Sequence, residues 1–385
     1  MGKRILILGA GVGGIVSSNI FAKSIMKEHE VVLIDKNDTH IFRASYPYIM
    51  INVRKPHQIR AEISSLQKMG VKFVQAEVLG LDLSNLLVET DIGSFTYDYL
   101  IIALGAEEHS EKVPGLIETA FNLCDYESVL DLSQVLERFE QGHIITFISE
   151  LPVIGTVAPY EIVFLLDSFF RRRKQRQNIE LTLITPEEIP LQNSNPKVSN
   201  SIAADLKKRG INLLVNSQVV SLDPRANSIE LQDGSIIVAD IFIAIPPQQG
   251  PAVLKNSSLE LDEGWVKVDP HTLKTNLENV YAVGDITAIR MPSNRDWAPK
   301  LGVFAHYQAE VVARNIALEL AGKKPMFRYR GKAAGFVMAT DISLGRIGSF
   351  DYFAIERPKV TLLRPTRLGH WVKMAFEKYW LTRWF

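Results

Sequence analysis

Hydrophobic residues along this chain fall into short unbroken runs, set apart by glycine-bearing turns and longer mixed stretches. Arg4-Ile-Leu-Ile-Leu8 is the first run, of the kind expected for a strand covered on both faces. Gly9-Ala-Gly-Val-Gly-Gly14 follows as a tight turn, then a helical stretch from about Ile15 to Lys27 and a second buried run, Val31-Val-Leu-Ile-Asp35. Further strands are predicted at Val71–Val74 and Tyr99–Ala103, the latter closing on Leu104-Gly105-Ala106. The alternation restarts near Pro114 with a strand over 144–148 and a long helix over 158–176, whose basic end reads Arg171-Arg-Arg-Lys174. A strand over 179–184, a helix over 197–209 and strand-rich segments at 211–215, 228–232 and 236–245 follow, ending at Pro246-Pro247. Asn279-Val-Tyr-Ala-Val-Gly-Asp285 reads as another short strand, a helix is predicted over 304–320, and the stretch from Met326 mixes strand-like segments with an aromatic, basic end. Two rounds of alternating strands and helices predict an α/β protein with two Rossmann-like domains of nucleotide-binding type. The expected division is 1–113 with 251–325, then 114–250, and a smaller C-terminal region over 326–385.

Composition narrows the function classes. A length of 385 residues with 46% hydrophobic content suffices for a substantial core and two or three domains. The 43 basic and 43 acidic residues cancel, which removes bulk electrostatic capture of nucleic acid. A single cysteine, Cys124, excludes an intrachain disulfide framework and a multi-cysteine metal site, and no metal is expected. The apolar start from Ile5 to Gly14 is broken by glycines and lacks a cleavage region, so it reads as strand and turn rather than signal peptide. No run of about twenty apolar residues occurs, so no spanning helix is expected.

Gly9, Gly11 and Gly14 sit between a predicted strand and a predicted helix, and Asp35 ends the next strand. That is the context and spacing a dinucleotide needs: glycines for the tight turn, close backbone approach and helix packing, and an acid for a ribose hydroxyl. The helix N-terminus supplies N–H groups and partial positive charge to the pyrophosphate. FAD and NAD share the adenosine diphosphate half, so the loop alone leaves both open.

Two later segments carry a resemblance. Tyr99-Leu-Ile-Ile-Ala-Leu-Gly-Ala106 resembles the strand-plus-glycine segment of two-dinucleotide-fold flavoproteins, and Asn279–Asp285 resembles their second flavin fingerprint, with the aspartate on the ribityl chain. Together with Phe42-Arg-Ala-Ser-Tyr-Pro47, Ala239-Asp-Ile-Phe-Ile-Ala-Ile-Pro-Pro247 and Pro299-Lys-Leu-Gly302, nearly the whole chain resembles the sulfide:quinone oxidoreductase family. That family is related to type II NADH dehydrogenases and to the flavin subunit of flavocytochrome c sulfide dehydrogenases. The resemblance implies FAD as cofactor, its covalent attachment left open, and a quinone as acceptor. It adds Gly13, Lys36, Arg43 and Val78 to the loop and Asp35 as cofactor-binding residues, and with them Gly105, Gly284, Asp285 and Gly302. It brings the segment 299–302 and the helix after it to the flavin ring, where Lys300 or the helix N-terminus would stabilise a reduced flavin. A solvated surface lysine is the other reading of Lys300. Cys124 stands where the family places a cysteine close to the flavin, sulfur-reactive or tethered to the ring, although cysteine equally suits a buried apolar position.

Departures from the family pattern bear on the donor. The two further cysteines of the family's sulfide chemistry are missing from the corresponding stretches, Val153-Ile-Gly-Thr-Val-Ala-Pro159 and Gly335-Phe-Val-Met-Ala-Thr340. A persulfide relay between two thiols cannot operate in this chain, which counts against ordinary sulfide oxidation. NADH would need a second glycine loop after 144–148, but Ser149-Glu-Leu-Pro-Val-Ile-Gly-Thr156 holds one glycine and a proline. The next strand lacks an acid at its tip, Glu187 and Glu188 coming slightly late. The second domain therefore reads as a degenerate nucleotide fold. Glu161, early in its helix, either lines a substrate channel as a catalytic group beside Cys124 and Lys300, or caps the helix or faces solvent.

The C-terminus interleaves Trp371, Phe376, Tyr379, Trp380, Trp384 and Phe385 with Lys373, Lys378 and Arg383. Such a mixture suits the headgroup boundary of a bilayer, and the family attaches to membranes through C-terminal helices; a helix packed on the body or on a partner subunit is the alternative. The expectation is a peripheral membrane contact through Trp371, Tyr379, Trp380 and Trp384, on the cytoplasmic face, with homo-oligomerisation open. The implied activity passes electrons from a small reduced donor, sulfide-like or another sulfur species, by way of FAD to a membrane quinone. Type II NADH:quinone oxidoreduction and a non-catalytic flavoprotein subunit are the alternatives.

Overall fold

The computed structural model of the protein describes residues 2–25 and 28–385, without the side chains of 335–337. Its first sheet is parallel and five-stranded, in the order Val280–Ala282, Tyr99–Ile102, Arg4–Leu8, Glu30–Asp35, Lys72–Gln75. The unbroken apolar runs follow from cover on both faces. Ile5, Ile7, Val31 and Leu33 join the cluster that holds Ile15, Phe21 and Val312 of two helices. Leu6, Leu8, Val32 and Ile34 alternate to the other face, against Leu81 and Val88 of an antiparallel meander.

A second parallel sheet repeats the plan in the order Ala120–Asn122, Ile241–Ile245, Gly142–Ile148, Ile179–Ile184, Ile211–Leu214. Its faces are covered by the helix Ala158–Arg172 on one side and by a meander of Val219–Asp223, Ser228–Leu231 and Ile236–Val238 on the other. The apolar stretch 236–245 is thus two strands, not one. Between them Asp240 accepts the His143 N–H through Oδ2 (2.8 Å) and donates its own N–H to the His143 carbonyl (2.9 Å). The chain changes sheets at this polar pivot, which a count of apolar residues passes over.

The first helix runs Val12–Ser24; its predicted end at Lys27 lies outside the described residues. The helix Ala158–Arg172 stops short of residue 176 because the next basic residues fold back. Asp167, fully buried, accepts from Arg171 Nε (2.9 Å), Arg176 Nε (2.7 Å) and Arg209 Nη1 (3.0 Å). The helix Gly302–Leu320 lies against the first helix.

The C-terminal part is an antiparallel sheet of Lys332–Asp341, Leu344–Asp351 and Lys359–Leu362, followed by the helix Arg367–Arg383. Thr366 caps that helix by accepting the Gly369 N–H on Oγ1 (3.0 Å). Its inward stripe is Gly369, Lys373, Glu377 and Trp380, at a spacing of one helical face. Leu368, Trp371 and Tyr379 are exposed on the opposite face, and Phe376, half-exposed, lies on the flank beside Phe42 and Trp380. Trp380 is 2% and Trp384 8% exposed, so the expectation that these two meet a membrane is corrected: they pack inward on His40, Phe42 and His306. The two inward charges are neutralised at the helix surface itself: Lys373 pairs with Glu161, and Glu377 with Arg54 Nε (2.8 Å). Among the described residues no helix is long and apolar enough to cross a membrane.

Candidate active site

Because neighbouring strands of the first sheet are parallel, their C-terminal ends bring the Gly9 loop, Asp35, Gly105 and Gly284 to one edge. Gly9 has φ +94°, and a Cβ there would stand 2.5 Å from the Ala103 carbonyl oxygen. A Cβ on Gly14 would stand 1.8 Å from the Gly9 carbonyl oxygen, so helix and strand approach at a distance only glycine permits. A Cβ on Gly11 would meet no atom within 4 Å: the loop is open on that side. Gly11 is also the N-cap of the first helix and supplies no side-chain cap. The first-turn N–H groups, without intrahelical acceptors, are left for an anion. A pyrophosphate fits this cradle.

The Ala10 peptide is held from both sides. Its N–H donates to Asp35 Oδ2 (2.6 Å) and its carbonyl accepts from His40 Nδ1 (3.0 Å), while Asp35 Oδ1 accepts the Asn37 N–H (2.8 Å). Across the edge, the Gly284 N–H donates to Gln308 Oε1 (2.6 Å), and a Cβ on Gly302 would lie 3.4 Å from Val12 Cγ2. Lys36 is exposed, 3.9 Å from Glu77; Arg43 is exposed, 3.9 Å from Glu108; and Val78 opens the meander strand Val78–Asp82. Gly105, at φ +73°, has open space where a Cβ would be.

Lys300 is not a surface lysine. It is 5% exposed, donates from Nζ to the carbonyls of Asp285 (2.5 Å) and Thr287 (3.0 Å), and lies 3.6 Å above the Trp265 ring. Burial brings its pKa down to about 7, with the Asp285 carboxylate opposing that fall, and burial pushes the Asp285 carboxyl above its ordinary range. The lysine of the unfolded chain stays protonated to about pH 10.4. Between pH 7 and that value the unfolded state binds the extra proton, so stability should rise with pH by about 1.4 kcal/mol per unit. Thermal unfolding at pH 7.5 and 8.5 is expected to show this gain in the unmodified chain and to lack it in Lys300→Met.

Glu161 neither caps its helix nor faces solvent. It is 4% exposed, pairs with Lys373 and accepts the Ala339 N–H on Oε1 (3.0 Å). Cys124 is half-buried; its Sγ accepts from Gln248 Nε2 (3.1 Å) and its N–H donates to Asn122 Oδ1 (2.8 Å). Burial pushes the thiol up to about 12, the opposite direction from an activated thiolate. Cys124 and Glu161 are therefore parts of different local networks.

At the second sheet the corresponding loop is closed. The Gly155 N–H donates to the Lys300 carbonyl (2.9 Å), the Ile154 N–H to Gln248 Oε1 (2.8 Å), and Pro159 removes a first-turn donor. Glu187, 3% exposed, is bound to the Tyr160 hydroxyl and Thr185 Oγ1, and burial raises its carboxyl pKa. The Gly155 and Ile154 amides and the Glu187 carboxyl thus already have partners within the protein. Between this loop and the C-terminal sheet lies a cavity of about 280 Å³, lined by Thr156, Asn193, Trp297, Lys300, Phe350 and Tyr352 among others.

Residues 3–309 match the model of the pyridine nucleotide-disulphide oxidoreductase family. The chain belongs to that family. As a member of the pyridine nucleotide-disulphide oxidoreductases it is an oxidoreductase, and its two parallel sheets agree with the α/β class expected from the motifs. It is 23% identical over 365 residues to mouse mitochondrial sulfide:quinone oxidoreductase, covering 91% of this chain and 78% of that protein. It is 23% identical over 393 residues to the type II NADH:quinone oxidoreductase of Haemophilus influenzae, covering 90% and 87%. The solved sulfide:quinone oxidoreductase of Aquifex aeolicus superposes with a TM-score of 0.86 at 22% identity, covering 100% of this chain and 91% of that one.

Sequence reasoning missed His40, Gln248, Gln308 and the inward role of Trp380. Gln308 sits one helix away from the glycine it binds and His40 follows Asp35 by five residues, and neither spacing belongs to a motif. The signal that existed for His40 was a histidine just before the matching stretch Phe42–Pro47.

Proposed function

We propose that the chain binds FAD in the first glycine loop and transfers electrons from a small reduced donor to a membrane quinone. The observation that carries this reading is the asymmetry between the two loops, one open beside Gly11 and the other closed at Gly155 by Lys300. One dinucleotide is held, and the second fold is left for another task. Bound FAD supplies the redox chemistry.

This chain's residues provide the setting. Gly9, Gly11 and Gly14 admit the pyrophosphate, and Asp35 fixes the loop and faces the adenosine ribose. Gly105 and Gly284–Asp285 admit the rest of the cofactor. Lys300, titrating near neutrality between Asp285 and the cavity, keeps a proton donor and positive charge at the boundary of both. The sulfide:quinone and NADH:quinone oxidoreductases it resembles support quinone as acceptor. The exposed face of Leu368, Trp371 and Tyr379, flanked by Phe376, Lys378 and Arg383, supports peripheral contact with the membrane that holds it. With one cysteine, its thiol pKa raised, a sulfur donor would have to pass its electrons to the flavin without a relay of protein thiols.

The test is an anaerobic donor screen on purified protein, read by flavin absorbance, with a short-chain quinone added afterwards. A sulfur donor is expected to bleach the spectrum and the quinone to restore it. Bleaching by NADH alone would replace this reading by NADH:quinone oxidoreduction. Bound flavin that no donor and quinone can cycle would leave a non-catalytic flavoprotein.

A further inference from the structure

The glycine loop is tied to the far end of the chain. His40 Nδ1 meets the Ala10 carbonyl (3.0 Å), and His40 Nε2 meets the indole Nε1 of Trp380 (3.2 Å). A carbonyl only accepts and an indole N–H only donates, so His40 carries its proton on Nδ1 and accepts on Nε2. Burial, which lowers its pKa, keeps the ring in this neutral form. Ala10, between the first two glycines of the loop, is thereby gripped by Asp35 on its N–H and by the C-terminal helix, through His40, on its carbonyl.

A second tie runs in parallel. Asn19, on the helix that the loop opens, donates from Nδ2 to the Trp384 carbonyl (2.9 Å). The Phe385 ring lies 5.1 Å from that of His40, and the Trp380 and Trp384 rings are 5.5 Å apart. One turn further back, Glu377 binds Ser45 and Arg54 on the segment just after His40. The four hydrogen bonds that Asn19, His40, Ser45 and Arg54 make to this end of the chain each join residues more than 300 positions apart.

We propose that the C-terminal helix is a clasp on the cofactor loop, with His40 as a positioning residue and Trp380 as its latch. Docking of the helix sets the shape in which the loop receives the FAD pyrophosphate. The proposal rests on the flavin reading above. Its physical basis is preorganisation: a loop whose Ala10 peptide is free must be ordered by the ligand, which weakens binding. The same helix carries the exposed aromatic face, so cofactor retention and surface docking share one element.

Trp380→Phe keeps a ring in place and removes the donor to His40. His40→Leu removes both bonds, whereas His40→Gln retains one donor and one acceptor. FAD dissociation constants and release rates are read by the fluorescence of freed flavin, beside the melting temperature of each apoprotein. Trp380→Phe is expected to bind FAD about tenfold more weakly, the effect of one buried hydrogen bond, and His40→Leu, which loses two, at least as weakly. His40→Gln and the exposed-face control Trp371→Phe should retain it. If Trp380→Phe does not fold, the two His40 variants decide. Unchanged FAD binding in Trp380→Phe and His40→Leu would overturn the clasp while leaving the flavin reading intact. Equal losses in His40→Leu and His40→Gln, tracking a lower apoprotein melting temperature, would reduce His40 to a packing residue. An unmodified chain that binds no FAD would end both.

Discussion

Gly14→Ala is expected to yield protein that neither retains flavin nor unfolds at the normal temperature. The added Cβ would stand 1.8 Å from the Gly9 carbonyl oxygen and 3.0 Å from its carbon, with Ile7 Cγ2 behind at 3.4 Å. All three belong to the central strand or its turn, where backbone cannot swing aside as a flexible side chain would. The first helix must therefore lift from the sheet, at the upper end of the roughly 1–3 kcal/mol typical of overpacking. Lifting it also withdraws the N–H groups at the helix start from the pyrophosphate position. Gly11→Ala is the informative partner, because its Cβ meets no protein atom within 4 Å. That variant should fold with an unchanged apoprotein melting temperature and still bind FAD weakly, since the new methyl occupies the space a ligand would use. Flavin content after gel filtration, with calorimetry of the apoproteins, separates the two effects. A Gly11→Ala protein that binds FAD normally would remove the pyrophosphate from this loop.

Asp167→Ala is expected to cost a large share of the stability without touching the cofactor site. Asp167 is fully buried and accepts from three guanidinium groups, those of Arg171, Arg176 and Arg209. Arg176 also donates to the carbonyls of Ile179, Arg209 and Gly210, so it holds the helix Ala158–Arg172, the next strand and the helix Pro196–Lys208 together. Removing the carboxylate leaves like charges facing one another in a partly buried space. Breaking a buried ion pair in this way costs about 3–5 kcal/mol. Arg171 is half-exposed, and its share is screened by solvent, so the lower half of that range is expected. Denaturant unfolding should show the loss as a lower midpoint with an unchanged slope. Flavin absorbance of the folded variant should be unaltered, because the cluster lies on the second sheet's helices, away from the glycine edge.

The cofactor edge was legible because its chemistry is local. Gly9, Gly11, Gly14 and Asp35 lie within one strand–turn–helix–strand unit, and the geometry linking them is dictated by a few backbone torsions and a parallel register. The buried strands were legible for a related reason: cover on both faces removes the polar alternation, leaving unbroken runs such as Ile5–Leu8. The stretch 236–245 failed at Asp240, whose role as a pivot depends on His143 nearly a hundred residues earlier.

The C-terminal helix was legible only in part, Trp380 and Trp384 turning inward, and for a deeper reason. Hydrophobicity along 364–385 points to aromatic residues meeting something apolar, and charged residues facing water. In the folded chain Lys373 and Glu377 point inward to Glu161 and Arg54, while Trp371 and Tyr379 point out. Helical spacing groups these residues into faces, yet which face turns inward depends on partners at positions 161 and 54 that no local pattern reveals.

The sequence by itself therefore determined the two parallel sheets and the first glycine loop with its acid, since each depends on backbone torsions and neighbours within a few tens of residues. Only the tertiary structure decided that Lys300 is buried on two carbonyls, that Gly155 closes the second loop against it, and that Trp380 reaches His40 behind the first. Those arrangements are made by residues from distant parts of the chain, and buried donors and acceptors must find partners wherever the fold brings them.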